Sequence, residues 1–242
     1  MISKSNGAVS LQEKWKSLQQ ELNKLSLIQM KHVMSFEGYS KLAKRIDERE
    51  NHWDGYTPSD TFQMGAEGQV NAIQNIFKSD DARLIVVERD FRGAHVAFFG
   101  PGRTAEEILS FLRTYPEVGS ISIFDADSYD FINTEKRLKE YAADRLADDP
   151  NFKLPEINGY MLDLLGEYPE GVTGKFDFVF ESNVVDVDGF YTDDQAVKIA
   201  QLIEEILKPG GVLYSPGFAS SWIDKVKDAV DMKVGIIEVD HQ

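Results

Sequence analysis

The stretch HVAFFGPGRTAEE, residues 95–107, has the pattern of a strand, a tight turn and the start of a helix. The apolar run Val96–Phe99 is typical of a strand that is covered on both faces. Gly100 and Gly102 remove side chains where the backbone must turn sharply. A T-x-x-E capping box that begins at Thr104 predicts a helix start, and the free N–H groups there can bind a polar or anionic ligand.

The same turn, residues 100–105, also fits the pattern G-x-G-x-x-A of dinucleotide-binding turns. The alternative is a β–α turn that needs glycine for steric reasons alone. The residues downstream of the turn decide between these two interpretations.

Composition narrows the classes of protein to which the chain can belong. Its 242 residues suffice for one α/β domain with a sizeable core and a helical extension. With 41 acidic and 26 basic residues, the net charge is −15. Binding of nucleic acid over a broad surface needs clustered Lys and Arg, so we do not expect it. Because the chain has no cysteine, disulfides, thiol catalysis and Cys-ligated zinc are excluded.

Metal and membrane binding are not expected either. The four histidines have no close metal-ligand spacing. No apolar run is long enough to span a bilayer, and residues 1–10 lack an apolar signal core. The sequence therefore predicts a cytoplasmic protein.

Residues 1–90 are predicted to form an N-terminal helical extension or cap, and residues 91–242 the main domain. Ser10 and Glu13 form an S-x-x-E capping box in front of an amphipathic helix. Its apolar stripe consists of Leu11, Trp15, Leu18, Leu22 and Leu25. Packing of this stripe on its own domain is the simpler interpretation, and a homodimer seam is the alternative.

An aromatic-rich loop follows a second predicted helix, over residues 36–48, and precedes a third, over residues 59–78. Residues 51–58 carry Trp53 and Tyr56 among turn-forming residues. Aromatic side chains on such a loop either fill the core or form a lid over a ligand. These two side chains are our candidates for binding the substrate.

From His95 onward, predicted strands and helices alternate, which is the pattern of a mostly parallel sheet with helices on both faces. The predicted strands are residues 95–99, 120–125, 157–162, 176–180, 211–215 and 234–239. The predicted helices are residues 104–115, 129–146, 192–207 and 220–229. The β-rich run 83–88 is placed at an edge of the sheet or outside it. The predicted fold class is therefore α/β, with an N-terminal helical cap.

Four motifs in residues 95–240 resemble, in order, those of the class I S-adenosylmethionine-dependent methyltransferases. They are the glycine turn 100–102, an acid after the second strand, the segment around Asp163, and the fourth and fifth strands. The run LKPGGVL, residues 207–213, is the most family-specific of them. The resemblance implies a Rossmann-like, mostly parallel sheet with helices on both faces.

The resemblance also implies a cofactor site for S-adenosylmethionine. Its implied residues are Gly100, Pro101, Gly102, Asp125, Ala126, Asp163 and Asn183. The glycine turn would pass under the methionine part, Asp125 would accept both ribose hydroxyls, and Asp163 would accept the adenine amino group. Asp127 competes with Asp125, because side chains two apart on an extended chain point to the same side.

Residues after the fourth strand are candidates for contacts with the reacting groups. Asn183 and Glu181 are placed to contact the methionine group or the acceptor. The candidate bases are Glu181, Asp186, Asp188 and Tyr191, and we assign the catalytic role to none of them. Arg103 either pairs with the cofactor carboxylate or lies on the surface.

The sequence departs from the family pattern at two positions. Phe98 stands where the family usually has an acid that helps to order the amino end of the cofactor. Thr104 stands where a third small residue is usual, and a helix cap explains it. Phe98 leaves room for a degenerate site or an altered ligand.

The predicted function is methyl transfer from S-adenosylmethionine to a small-molecule O or N acceptor. The first alternative is an NAD-dependent oxidoreductase. The glycine turn and Asp125 permit it, whereas the LKPGG run and the lack of a Tyr-x-x-x-Lys pair oppose it. The second alternative is a non-catalytic methyltransferase-like protein that binds a partner, which Phe98 favours.

Overall fold

Six strands and five helices are formed by the residues that the computed structural model describes, which are 10–50, 90–101, 105–166, 168–181, 192–214 and 229–230. The strands are β1 (Ile28–Val33), β2 (His95–Phe99), β3 (Ser120–Asp125), β4 (Glu156–Met161), β5 (Phe176–Glu181) and β6 (Leu207–Tyr214). The helices are α1 (Leu11–Leu22), α2 (Phe36–Glu50), α3 (Glu106–Thr114), α4 (Ser128–Asp148) and α5 (Asp193–Ile206). None of these helices is both long enough and apolar enough to cross a bilayer.

All six strands run parallel, in the order β1-β4-β3-β2-β5-β6. From β2 the chain moves outward through β3 to β4, and it then crosses back to β5 and β6 on the other side of β2. The strand order therefore reverses between β2 and β5, which makes a crevice at their carboxyl ends. This arrangement confirms the predicted Rossmann-like α/β fold.

Strand β1 was not predicted from the sequence. It pairs with β4 at the edge of the sheet, where Ile28 lies opposite Ile157. The predicted N-terminal helical extension is thus not helical throughout, and it contributes a strand to the main sheet. The strand is short and half exposed, so it lacks the continuous apolar run that marks the central strands.

The predicted capping box at the start of α1 is confirmed, because Ser10 accepts the N–H of Glu13. Another capping box starts α5, where Thr192 accepts the N–H of Gln195. Thr104, the first residue of the other predicted capping box, lies outside the described residues, and the N-cap of α3 is Ala105 instead. Ala105 has a left-handed φ of 54° and makes no side-chain capping bond. Glu107, the other residue of that predicted box, is buried.

Apolar side chains cover both faces of the sheet. Val96 and Phe98 belong to one layer, which includes residues of α3 and α4, and Ala97 and Phe99 belong to the other, which includes residues of α5. Phe98 is fully buried and stacks on Phe180, with their ring centroids 5.6 Å apart. The position at which the family usually has an acid is therefore part of the hydrophobic core in this protein.

The LKPGG run joins α5 directly to β6. The C-cap of α5 is Leu207, which is already extended, and β6 begins there instead of at Gly211. The pairing of β5 with β6 jumps from Phe176–Leu207 to Phe178–Val212, so the intervening residues bulge out. The left-handed φ of 77° at Gly210 serves this bulge.

Candidate ligand site at the carboxyl edge of the sheet

The crevice between β2 and β5 begins at Gly100, directly after the central strand. The N–H of Gly100 donates to the carbonyl oxygen of Phe124 at 2.9 Å, which holds the turn against the end of β3. Its φ of 58° is left-handed, and this explains why glycine is needed here. Pro101 follows and is buried. Gly102 and Arg103 lie outside the described residues.

Asp125 ends β3 next to this turn. Its carbonyl oxygen accepts the N–H of Leu162 at 2.9 Å, so the ends of β3 and β4 are held together. Its Oδ1 accepts the N–H of Asp127 at 2.9 Å. Burial of the carboxyl group raises the pKa of Asp125 well above its ordinary value, and the nearby carboxyl group of Asp130 raises it further. Asp130 belongs to the first turn of α4, so this helix brings a second acid close to the end of β3.

Asp127 has a structural role in this arrangement. Its Oδ1 accepts the N–H of Tyr129 at 2.9 Å and caps α4. The two competitors for the ribose role therefore differ in their surroundings, because Asp125 faces a second acid and Asp127 caps a helix. Ala126, between them, is half-buried against the core.

Asp163 lies two residues beyond the end of β4, and both of its carboxylate oxygens have partners. Oδ1 accepts the N–H of Leu165 at 3.1 Å, and Oδ2 accepts the guanidinium of Arg45. Arg45 comes from α2 and was missed by the sequence analysis. It is one of several charged residues on an amphipathic helix, and nothing in the sequence distinguishes it from the others.

Glu181 ends β5 on the other side of the turn. It lies opposite Phe99 in the pairing of β2 with β5, and it is fully buried. The order of the strands therefore places Asp163, Asp125, Gly100 and Glu181 in succession along the carboxyl edge. The other predicted residues, Trp53, Tyr56, Asn183, Asp186, Asp188 and Tyr191, lie outside the described residues.

Carboxyl groups thus stand on both sides of the glycine turn. Such groups accept hydrogen bonds from hydroxyl and amino groups and attract a cation. A pyrophosphate at Gly100 would instead meet Asp125 and Glu181, and juxtaposed groups of like charge are unfavourable. The described part of this edge therefore suits a ligand that is rich in donors and not strongly anionic.

The sequence matches no family model and no curated protein. Similar solved structures include the carbon methyltransferase CurJ, with 15% identity over 96% of this chain and 58% of that chain and a TM-score of 0.45. The arsenic(III) S-adenosylmethionine methyltransferase of Chlamydomonas reinhardtii has 15% identity over 52% of this chain and 38% of that chain, with a TM-score of 0.41. A structure from Rhodobacter sphaeroides, named as a zinc-dependent alcohol dehydrogenase, has 22% identity over 60% of this chain and 50% of that chain, with a TM-score of 0.36.

Methyltransferases are thus among the solved structures to which this chain is similar. The matches span between 38% and 58% of the three solved chains. Because the identities lie below 25% and the TM-scores below 0.5, the activities of these proteins do not carry over to this chain.

Proposed function

We propose that the chain binds S-adenosylmethionine at the carboxyl edge of the sheet and transfers its methyl group to a small-molecule O or N acceptor. The observation that supports this most directly is the position of Asp125. Its carboxyl group ends β3 beside the left-handed Gly100, at the point where the strand order reverses. Open parallel sheets bind nucleosides at this place, and an acid there accepts the ribose hydroxyls.

The donors and acceptors of the edge fit this cofactor. In a bound cofactor the ribose diol would donate to Asp125, the adenine amino group would donate to Asp163, and the glycine turn would hold the methionine part. S-Adenosylmethionine is a cation at its sulfur, and the neighbouring carboxyl groups favour it over a pyrophosphate. When bound, it supplies a methyl group whose bond to sulfur breaks as the acceptor lone pair attacks, leaving a neutral thioether.

The chain's own contribution is positioning and exclusion of water. The edge holds the acceptor in line with the methyl group, which turns a bimolecular encounter into a step within one complex. An acceptor that carries a proton needs a base to take it. Glu181 is the candidate base among the described residues, because its carboxyl group is buried next to the turn.

Calorimetric titration tests this proposal with S-adenosylmethionine, S-adenosylhomocysteine and NADH as separate ligands. We expect the first two to bind to the wild type and to lose roughly tenfold or more in affinity in Asp125→Asn, since a charged acceptor contributes about 1.5–3 kcal/mol. Asp144→Asn is the matched control, because Asp144 is an exposed acid on α4, the helix that follows Asp125.

Each other outcome points to a different class of protein. Binding of NADH alone would place the chain among the oxidoreductases. Binding of none of the three would favour a non-catalytic interaction protein. An acceptor screen with small alcohols, phenols and amines follows only if the cofactor binds.

A further inference from the structure

The helix α2 is joined to the carboxyl edge of the sheet through Arg45. It begins at Phe36, shortly after β1, and Arg45 lies about 13 Å further along the helix axis. The guanidinium of Arg45 contacts the carboxylate of Asp163, which lies two residues beyond the carboxyl end of β4. The helix therefore reaches the segment that follows β4.

The start of α2 is fixed at the same edge. The N–H of Met34 donates to the carbonyl oxygen of Met161 at 2.8 Å, at the ends of β1 and β4. The indole Nε1 of Trp15 donates to the carbonyl oxygen of Met34 at 3.3 Å, and Leu42 is buried in the core. The segment just before α2 is therefore held at the end of the sheet, and the second turn of the helix is packed in the core through Leu42.

The ion pair between Arg45 and Asp163 is well placed to be strong. The side chain of Asp163 is 16% exposed and that of Arg45 is 32% exposed, so water screens the pair less than it screens a surface pair. Oδ1 of the same carboxylate is held by the N–H of Leu165. Arg45 and Leu165 together fix the orientation of the carboxylate.

We propose that Arg45 is a positioning residue for an adenine nucleoside, and that α2 forms one wall of the nucleoside site. Arg45 holds the Asp163 carboxylate in the orientation in which it accepts a hydrogen bond from the adenine amino group. The same contact ties α2 to the segment that follows β4, so that binding of the base and docking of the helix favour each other. This inference rests on the proposed function for the identity of the ligand, whereas the docking of α2 does not depend on it.

Two ligands that differ only at the base test the positioning role. S-Adenosylhomocysteine carries the amino group, and its deaminated analogue S-inosylhomocysteine carries an oxo group in its place. We expect the wild type to prefer the amino form by roughly tenfold, since one hydrogen bond to a charged group is involved. In Arg45→Gln this preference should fall to about twofold or less, and Arg45→Lys should restore part of it. If Arg45 had only a structural role, Arg45→Gln would weaken the binding of both ligands equally.

Amide hydrogen exchange over residues 37–45 tests the docking of α2. We expect faster exchange in Arg45→Gln than in the wild type. Lys41→Gln is the matched control, because Lys41 lies on the same helix and pairs only at the surface with Glu37, where both side chains are more than 70% exposed. It should change neither the exchange nor the ligand preference.

The outcomes separate this inference from the proposed function. If the wild type binds neither nucleoside, the proposed function is wrong, and faster exchange in Arg45→Gln still establishes the docking of α2. If the wild type binds but Arg45→Gln keeps the full preference for the amino form, the positioning role is overturned. Unchanged exchange in Arg45→Gln overturns the docking role.

Discussion

The carboxylate of Glu135 in α4 accepts the backbone N–H of Ile28 at 2.9 Å, although the two residues are 107 positions apart in the sequence. It also accepts the N–H groups of Ser26 and Leu27 and the hydroxyl of Ser26. Burial alone would raise the pKa of Glu135, but the hydrogen bonds from Lys139, Ser26 and Ile28 outweigh it and lower the pKa to about 2. The side chain of Glu135 therefore links the start of β1 to α4, a helix that covers the sheet.

Replacing Glu135 with Gln should lower the free energy of unfolding by about 2 kcal/mol, because a neutral amide cannot satisfy three backbone N–H groups as a carboxylate does. The pKa in the folded protein lies below the ordinary value of 4.5, so the stabilisation is present above pH 4.5 and is lost as the pH falls towards 2. Urea unfolding between pH 2 and 7 should show this slope in the wild type and a flatter one in Glu135→Gln. Glu140→Gln, at a half-exposed position of the same helix, should behave like the wild type.

The acid pair of Asp125 and Asp130 should make both stability and ligand binding depend on pH. The pKa of Asp125 is raised, so the folded state favours its protonated form, and stability falls as the pH rises from 3.8 through the raised value. A ribose diol prefers the ionised carboxylate, so the affinity for S-adenosylhomocysteine should rise over the same range. Asp130→Asn should move the midpoint of both changes to lower pH, and Asp125→Asn should abolish them. A midpoint that stays in place in Asp130→Asn would contradict the pairing.

An aspartate at residue 98, where the methyltransferases that the sequence resembles usually have an acid, should unfold the protein and should not improve the site. Phe98 is fully buried against Phe180 and Phe111, and a carboxylate there would be buried without a matched partner. We expect Phe98→Asp to cost several kcal/mol, whereas Phe98→Leu should cost about 1 kcal/mol. Urea unfolding of the two variants measures the difference. A folded Phe98→Asp protein with stronger cofactor binding would show that this position faces the ligand.

Gly159 in β4 has no side chain, and side chains of β1 lie where its Cβ atom would be. A Cβ atom at this position would lie 2.5 Å from the sulfur of Met30 and 3.0 Å from Cγ2 of Ile28. Gly159→Ala should therefore lower the free energy of unfolding by about 1–3 kcal/mol through overpacking. Met30→Ala in the same chain should recover part of this loss, and a double-mutant cycle by urea unfolding measures the coupling. Additive effects would mean that β1 does not pack on Gly159.

The main architecture could be predicted from the sequence because its signals are local. Apolar runs mark β2, β3 and β5, and the capping boxes at Ser10 and Thr192 mark the starts of α1 and α5. Gly100 and Asp125 could be chosen as site residues because they follow these strands directly. Their place at the reversal of strand order follows from the same pattern.

The remaining features depend on contacts between distant parts of the chain. Strand β1 is held by hydrogen bonds to Glu135 and by packing of its side chains next to Gly159. Neither contact can be recognised from the sequence of residues 28–33. The start of α3 depends on a left-handed residue, Ala105, which alanine adopts only when its surroundings require it. Arg45 cannot be distinguished from other helical arginines until the contact of its guanidinium with Asp163 is known.

The strand that pairs with β1, which is β4, is synthesised long after β1 itself. Ile28 pairs with Ile157, so about half the chain must be synthesised after β1 before its hydrogen-bonding partner exists, a wait on the order of ten seconds at usual rates of translation. The central strand β2 also precedes both of its neighbours, since β3 and β5 follow it in the sequence. During synthesis β1 is therefore unpaired on both sides for a time, and a strand in that state is open to pairing with another chain. A factor that shields residues 28–33 during synthesis would act at the stage when this strand is most exposed.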